Sequence, residues 1–265
     1  MHRILVLACG LALLAGAPAG AEVREISAMK EIVPSLDRDT LLVLDIDNTL
    51  IEPTGNLGSD QWYYYLVRRM VAAGLVRAEA ERRCLPLWND MQWLIRVRPV
   101  EKETPSLIAE AQRRGVRVVA LTARTPALAQ RTRLQLASVG LRLAGGDPDR
   151  SLSANGATRF IGGVLYAGDG RDKGELLVQL LRHLRPAPKK IVFVDDKAHN
   201  VRNVERALAR RRIPVRCFRY AAADGRVRAF ESDVADAELF FTGQLGAQGR
   251  AAIERAKRAA AEAGP

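Results

Sequence analysis

The sequence predicts an α/β fold: a doubly wound parallel sheet with a small helical insertion after its first strand. Three observations carry that expectation. Short apolar runs at 41–45, 116–121, 191–194 and 215–218 are bounded by turn residues and read as strands of a covered sheet. Segments of helical length and period separate them, which is the βαβ rhythm. The chemistry-bearing residues cluster just past the runs, where open α/β sheets hold their ligands.

The chain has 265 residues, and its 48% apolar content supports a sizeable core in one domain with a modest insertion. Residues 1–21 read as a secretory signal peptide: basic His2-Arg3, an apolar stretch of about 12 residues, and Ala19-Gly20-Ala21 before a cut near Ala21. That stretch falls short of the roughly 20 residues a membrane span needs, and no second one follows. Val6-Leu7-Ala8-Cys9 only faintly resembles a lipoprotein cleavage site. The expected mature protein is therefore periplasmic or secreted. Cleavage removes one base, Arg3, and no acid, so a net charge of +11 becomes +10. Such a charge suits nucleic acid, anionic envelope surfaces or phosphorylated substrates. The bases are scattered, however, and no nucleic-acid motif accompanies them. Cys84 and Cys217 remain after cleavage; they could pair in an oxidising compartment, and the sequence leaves that open.

In order, 22–38 reads as a lead-in with a helical turn near 28–32, and the opening strand follows. Pro53, Gly55 and Gly58 make 52–58 an irregular loop. Ser59-Asp60 then caps a helix to about 73, and a second helix covers about 77–94. All three Trp (Trp62, Trp88, Trp93) and three of the five Tyr lie here, as a local core or as the wall of a cleft. A helix at 104–113 precedes the second strand. Pro126 opens the next helix, which Gly140 stops. The Gly- and Asp-rich 144–170 suggests a hairpin over 159–161 and 164–166. Lys173-Gly174-Glu175 opens a helix to about 184, and another spans 198–211. The tail suggests a short strand at 239–241 and an Ala-rich helix at 247–261.

Asp45 with Asp47, Thr122, and Asp195 with Asp196 follow three of the strands, and Lys173 begins a helix. Each alone has a plain explanation in turns, caps or solvated surface. Phosphoryl transfer explains why they belong together. A carboxylate nucleophile is repelled by a phosphate dianion, by roughly 4 kcal/mol per unit pair at about 4 Å and an effective dielectric near 20. A cation held by several carboxylates reverses that sign, and an all-oxygen site suits Mg²⁺. A lysine and a hydroxyl would hold the transferring oxygens, and a second carboxyl would protonate the leaving alkoxide and later activate water.

In that order, DIDNT, ALTAR, DKGE and VFVDDKAHN resemble the four motifs of the haloacid dehalogenase (HAD) superfamily, across about 41–220. The resemblance implies that Asp45 is a nucleophile forming an aspartyl-phosphate and Asp47 the general acid/base. It implies that Thr122 binds the phosphoryl group and Lys173 stabilises its charge. Mg²⁺ would be held by the Asp45 carboxylate, the Asp47 backbone carbonyl and the motif IV acids Asp195 and Asp196, with Asp196 favoured as the direct ligand. Many members carry a second acid four residues on; here that position is Asn200. The family's mobile element would be 51–58 and its helical cap about 59–98. Ser59-Asp60-Gln61-Trp62-Tyr63 is similar to an exported branch of HAD-like proteins, which implies no defined substrate.

HAD dehalogenases lack the second acid, so Asp47 favours a small-molecule phosphomonoester, and the absence of membrane-spanning runs argues against the pump members. A phosphotransferase or mutase, and a non-catalytic envelope binding protein that keeps the shell, are the alternatives. Other phosphatase chemistries lack their parts: neither Cys84 nor Cys217 has an arginine six residues on, and His183 and His199 lack an arginine-histidine-glycine setting. No Gly-x-Ser-x-Gly elbow or phosphate-cradling Gly-Lys loop is present.

Overall fold

A computed structural model describes residues 22–262 apart from 144–147, 154–155, 169–170 and 245. The expected signal segment lies outside the described residues, as does part of the 144–170 stretch. Ten strands are described: β1 (Glu22–Ile26), β2 (Thr40–Leu44), β3 (Ile51–Pro53), β4 (Val97–Pro99), β5 (Arg117–Thr122), β6 (Arg150–Ser151), β7 (Arg159–Ile161), β8 (Val164–Tyr166), β9 (Lys190–Asp195) and β10 (Val215–Tyr220). Eight form one sheet in the order β1-β10-β9-β2-β5-β8-β7-β6. Pairing is parallel from β1 through β8 and antiparallel for β7 and β6. The fold is mixed α/β with a mostly parallel central sheet, compatible with a Rossmann-like arrangement.

Alternation along the strands divides the core in two. Leu42, Leu44, Val118, Ala120, Val192 and Val194 face one side, with Ile108 of α3 (Thr104–Arg113) and Leu136 of α4 (Ala129–Ser138). Leu41, Val43, Val119, Leu121, Ile191 and Phe193 face the other, against α5 (Lys173–Leu181) and α6 (Ala198–Ala209). Period-two alternation with both faces buried is why β2 reads as one unbroken apolar run.

Helices α1 (Asp60–Ala72) and α2 (Arg77–Gln92) leave the sheet and return to it through an antiparallel ribbon, β3 with β4, in register Ile51↔Pro99 and Pro53↔Val97. The start of the expected irregular loop is therefore a strand, paired with a partner more than forty residues away in the chain. The Ser59 hydroxyl accepts from the Trp62 N–H (3.1 Å), which is the expected cap of α1. After α7 (Asp224–Arg228), α8 (Ser232–Gln244) and α9 (Gly246–Glu262) complete a third apolar cluster, in which Trp62, Trp88 and Met91 meet Ala235 and Ile253. The Glu238 carboxylate of α8 accepts from the backbone N–H groups of Asn56 (3.4 Å) and Leu57 (2.6 Å), tying the loop after β3 to the C-terminal helices.

Two expectations are corrected and one open question is answered. The lead-in contains β1, an edge strand parallel to β10, hidden because Glu22, Arg24 and Glu25 leave it without an apolar run. Residues 239–241 are helical, not a strand. On α8, Ala235 and Leu239 lie one turn apart against the third cluster, while Phe240 and Phe241 point outward. Cys84 and Cys217 are free and buried in different clusters, the first beside the Met70 sulfur (3.6 Å) and the second under α5 and α6.

Gly174 marks the closest contact between α5 and α6: a Cβ there would lie 2.4 Å from the Asn203 carbonyl oxygen. Backbone cannot yield as a flexible side chain can. We expect Gly174→Ala to destabilise the protein by about 1–3 kcal/mol in urea unfolding; an unchanged midpoint would show that the two helices are not closely packed.

Candidate active site

The residues singled out at strand ends converge at the carboxyl edge of the sheet. There β2 lies between β9 and β5, and the chain passes outward to β5 and β8 before returning on the other side through β9 and β10. A crevice forms at such a reversal, and it is where open α/β sheets take ligands.

Asp45 directly follows β2 and its N–H donates to the Val194 carbonyl (2.9 Å), so the acid is held by the sheet ladder itself. The chain then turns tightly, with the Ile46 carbonyl accepting from the N–H groups of Leu50 (2.9 Å) and Ile51 (3.0 Å). Asn48 takes φ +59° in this turn, a left-handed conformation that asparagine tolerates better than most residues. Its amide donates to Asp196 Oδ2 (3.4 Å), and Thr49 Oγ1 donates to Asp45 Oδ2 (3.4 Å). The four residues after Asp45 thus shape the turn and bond to the site's acids.

Lys173 is the first residue of α5, whose end is capped by the Asp172 carboxylate accepting from Gly174 N (2.8 Å) and Glu175 N (3.0 Å). From there Nζ donates both to Asp45 Oδ1 and to Asp195 Oδ2 (2.7 Å), all three side chains being almost fully buried. Asp195 also accepts from the Lys197 backbone N–H (2.8 Å) and, on both oxygens, from Asn200 Nδ2 (3.0 and 3.1 Å). Asn200 therefore orients a site acid, a task for which an amide is suited.

Carboxyl oxygens of Asp45, Asp195 and Asp196 lie within 4.8 Å of one another. One lysine charge cannot offset three. Burial, with the charges of Asp195 and Asp47 adding to it and Lys173 opposing, pushes the Asp45 carboxyl up to about 7. Burial likewise pushes Asp196 well above the usual carboxylate range, against the pull of Lys197. Burial works to lower Lys173, but Asp195 and Asp45 outweigh it and hold the amine above an ordinary lysine. Asp196 Oδ1 is buried without a hydrogen-bond partner. A buried orphan acceptor among excess negative charge, with only oxygen donors around it, fits a hard divalent cation such as Mg²⁺. Asp196 has the open oxygen, while Asp195 is saturated.

The Asp47 carboxylate stands outside this cluster. Arg124 takes both of its oxygens in a bidentate pair, Nη2 to Oδ1 at 2.7 Å and Nε to Oδ2 at 2.9 Å. The buried guanidinium is braced by Thr132 (3.0 Å) and Gln135 (2.6 Å) of α4 and lies 5.6 Å from the centre of the Trp88 ring. Thr122 ends β5, and its Oγ1 accepts from the Arg124 N–H (3.1 Å), leaving its own proton to donate. On the other wall, Lys197 Nζ bonds to Asp60 and to the Tyr64 hydroxyl (3.2 Å) of α1. Burial works against ionisation of Asp60, but Lys197 outweighs it and holds that carboxyl below its usual range.

Asp45, Asp47, Thr122 and Lys173 line one cleft of about 80 Å³, walled on the insertion side by Tyr63, Tyr64 and Trp88. The aromatic insertion therefore does both jobs the sequence left open: Trp62 is core, and Trp88 is core on one side and cleft wall on the other. Sequence reasoning gave no place in the site to Arg124, Lys197 or Asp60. Arg124 stands two residues beyond Thr122 and Lys197 directly beside the acids, so both were in view; their partners, 77 and 137 residues away, were not.

With this geometry established, comparison with known proteins gives a family. The chain belongs to the family described as "Protein of unknown function (DUF2608)", whose model matches residues 22–245 and so spans every candidate site residue. It is similar to a Chlamydia pneumoniae protein, 27% identical over 183 residues (68% of this chain and 69% of that one). A Chlamydia trachomatis protein is 26% identical over 210 residues (79% of each). A Chlamydia muridarum protein is 28% identical over 206 residues (77% of each). All three bear the name "Putative outer membrane protein". No solved structure matches the chain.

The excess charge has a measurable sign. The folded Asp45 value of about 7 lies above the ordinary 3.8, so between these values the folded chain binds the proton more tightly than the unfolded one. Its contribution to stability falls as pH rises through that window. In chelator, the wild-type melting temperature should therefore decline from pH 4 to pH 8 more steeply than that of Asp45→Asn, and millimolar Mg²⁺ at pH 8 should reverse the decline. Parallel pH curves for the two proteins would contradict the charge excess.

Proposed function

We propose that the protein is a Mg²⁺-dependent phosphomonoester hydrolase of the HAD type, acting through an aspartyl-phosphate on Asp45. The observation that carries the reading is one cleft in which Lys173 bridges Asp45 and Asp195 beside the open oxygen of Asp196, with Asp47 and Thr122 on the same lining. Mg²⁺, held by the carboxylates of Asp45 and Asp196 with the charge of Asp195 beside them, would supply the positive charge that lets a phosphate dianion approach.

The chain's own residues then divide the work. An Asp45 oxygen bonds to phosphorus as the ester P–O bond breaks, and the leaving alkoxide takes a proton from Asp47. Lys173 offsets charge on the attacking carboxylate, and the Thr122 hydroxyl donates to a phosphoryl oxygen. In the second half, Asp47 takes a proton from water, the water oxygen bonds to phosphorus, and the bond to Asp45 breaks. Phosphate leaves, and Asp47 again holds its proton. The bidentate pair with Arg124 holds both oxygens of Asp47, and the first half requires that pair to loosen.

Envelope localisation, periplasmic or secreted, is part of the reading. It is supported by the name the chlamydial relatives bear and by the signal segment expected at 1–21. Among the described residues the sheet is open and its strands reach at most six residues, against the about 9–11 of a spanning barrel. No described helix is long and apolar enough to cross a membrane. We read the protein as an occupant of the envelope and not as a pore.

Purified protein should hydrolyse an aryl phosphate only with Mg²⁺, and Asp45→Asn should abolish turnover. Asp47→Asn should slow it by about 10²–10⁴-fold while phosphate still accumulates on Asp45, detectable by mass spectrometry. Wild type and Asp45→Asn with equal rates would remove the nucleophile, and phosphate binding without turnover would favour the non-catalytic binding protein.

A further inference from the structure

The cleft around Asp45 is small, and a larger chamber of about 520 Å³ adjoins it. Asp60, Tyr64 and Lys197 line both, so the clamp between Lys197 and α1 is their common wall. The acid cluster straddles the boundary, with Asp45 lining the first space and Asp196 the second. A phosphoester whose phosphorus meets Asp45 would extend its leaving group into this second chamber.

The charges lining that chamber are not balanced in pairs. Lys197 is committed to Asp60, and Arg219 to Asp224 through two bonds of 2.6 and 2.7 Å. Arg68 of α1 has no ion-pair partner among the described residues. Arg228, at the end of α7, stands 4.0 Å from the already occupied Asp224 and is 76% exposed. Tyr64 and Arg68 are four residues apart on α1, so they share the helix face that fronts the chamber. Arg68 and Arg228, the latter held only by a 4.0 Å contact with Asp224, thus flank one opening, and guanidinium forks suit carboxylate and phosphate geometry.

Resting on the hydrolase reading above, we propose that this chamber is a subsite for a second anionic group on the substrate's leaving portion, with Arg68 and Arg228 as its ligands. The substrate class is a phosphomonoester whose far end carries another phosphate or a carboxylate, not a neutral alcohol or sugar.

Non-hydrolysable probes test the subsite without relying on turnover. Titration calorimetry with Mg²⁺ would compare butylphosphonate, butane-1,4-bisphosphonate and 5-phosphonopentanoate on wild type, on Arg68→Gln/Arg228→Gln, and on Arg113→Gln/Arg114→Gln. The last pair removes equal charge from the carboxyl end of α3, which leads into the opposite edge of the sheet. We expect at least one of the two probes with a second anionic group to bind wild type about tenfold more tightly than butylphosphonate, a preference lost in the Arg68/Arg228 double variant and kept in the control. Which probe gains shows whether the second group is phosphate or carboxylate. Equal affinities for all three probes on wild type, or equal loss in both double variants, would overturn the subsite. Absence of turnover with the preference intact would overturn the hydrolase reading alone.

Discussion

One lysine placed between two buried carboxylates is the constraint around which the rest is arranged. Removing the amine would leave Asp45 and Asp195 buried and uncompensated, the kind of change that costs about 3–5 kcal/mol. Keeping it there makes demands on distant parts of the chain. Asp172 must cap α5 so that Lys173 begins it, Gly174 must lack a side chain so that α5 can lie against α6, and Asn200 must hold Asp195 in place. Charge still remains in excess, and the cation of the proposed mechanism would offset it.

Two further cations fasten the insertion to the sheet. Lys197 meets α1 through Asp60 and Tyr64, while Arg124 lies against Trp88 and near Gln92 (3.5 Å) of α2. Each projects from a strand end beside the acids and reaches a different inserted helix. The walls of the cleft and its floor are thus joined by the same side chains that set its charge. Because Arg124 also holds Asp47, a movement of α2 would be felt at that acid.

Much of this was legible in the sequence, for identifiable reasons. Strands β2, β5 and β9 announce themselves because burial on both faces forces apolar runs, and Asp45, Asp47, Thr122, Lys173, Asp195 and Asp196 stand at their ends or at a helix start. Strand β1 did not, since an edge strand with polar residues carries no such run. Neither did the β3–β4 ribbon, whose pairing depends on two short segments on either side of the insertion. The outward Phe240 and Phe241 imitated a strand because three apolar neighbours carry no period. Pair contacts such as Arg124 with Asp47 and Lys197 with Asp60 are invisible to local pattern, because nothing near either residue records what lies across the fold.

The bonds from Glu238 to the backbone of Asn56 and Leu57 carry a consequence for the order in which the molecule can be made. The amides of that loop are satisfied by a carboxylate made 181 and 182 residues later. Strand β2 likewise waits for β5 and then β9 before both of its edges are covered. A growing chain can therefore finish its central strand only after β9 has been made, and the entry to its insertion only after α8. Contacts this distant in sequence make for slow maturation, and truncation into α8 would unsettle the loop that leads from β3 into the insertion before it touched the sheet.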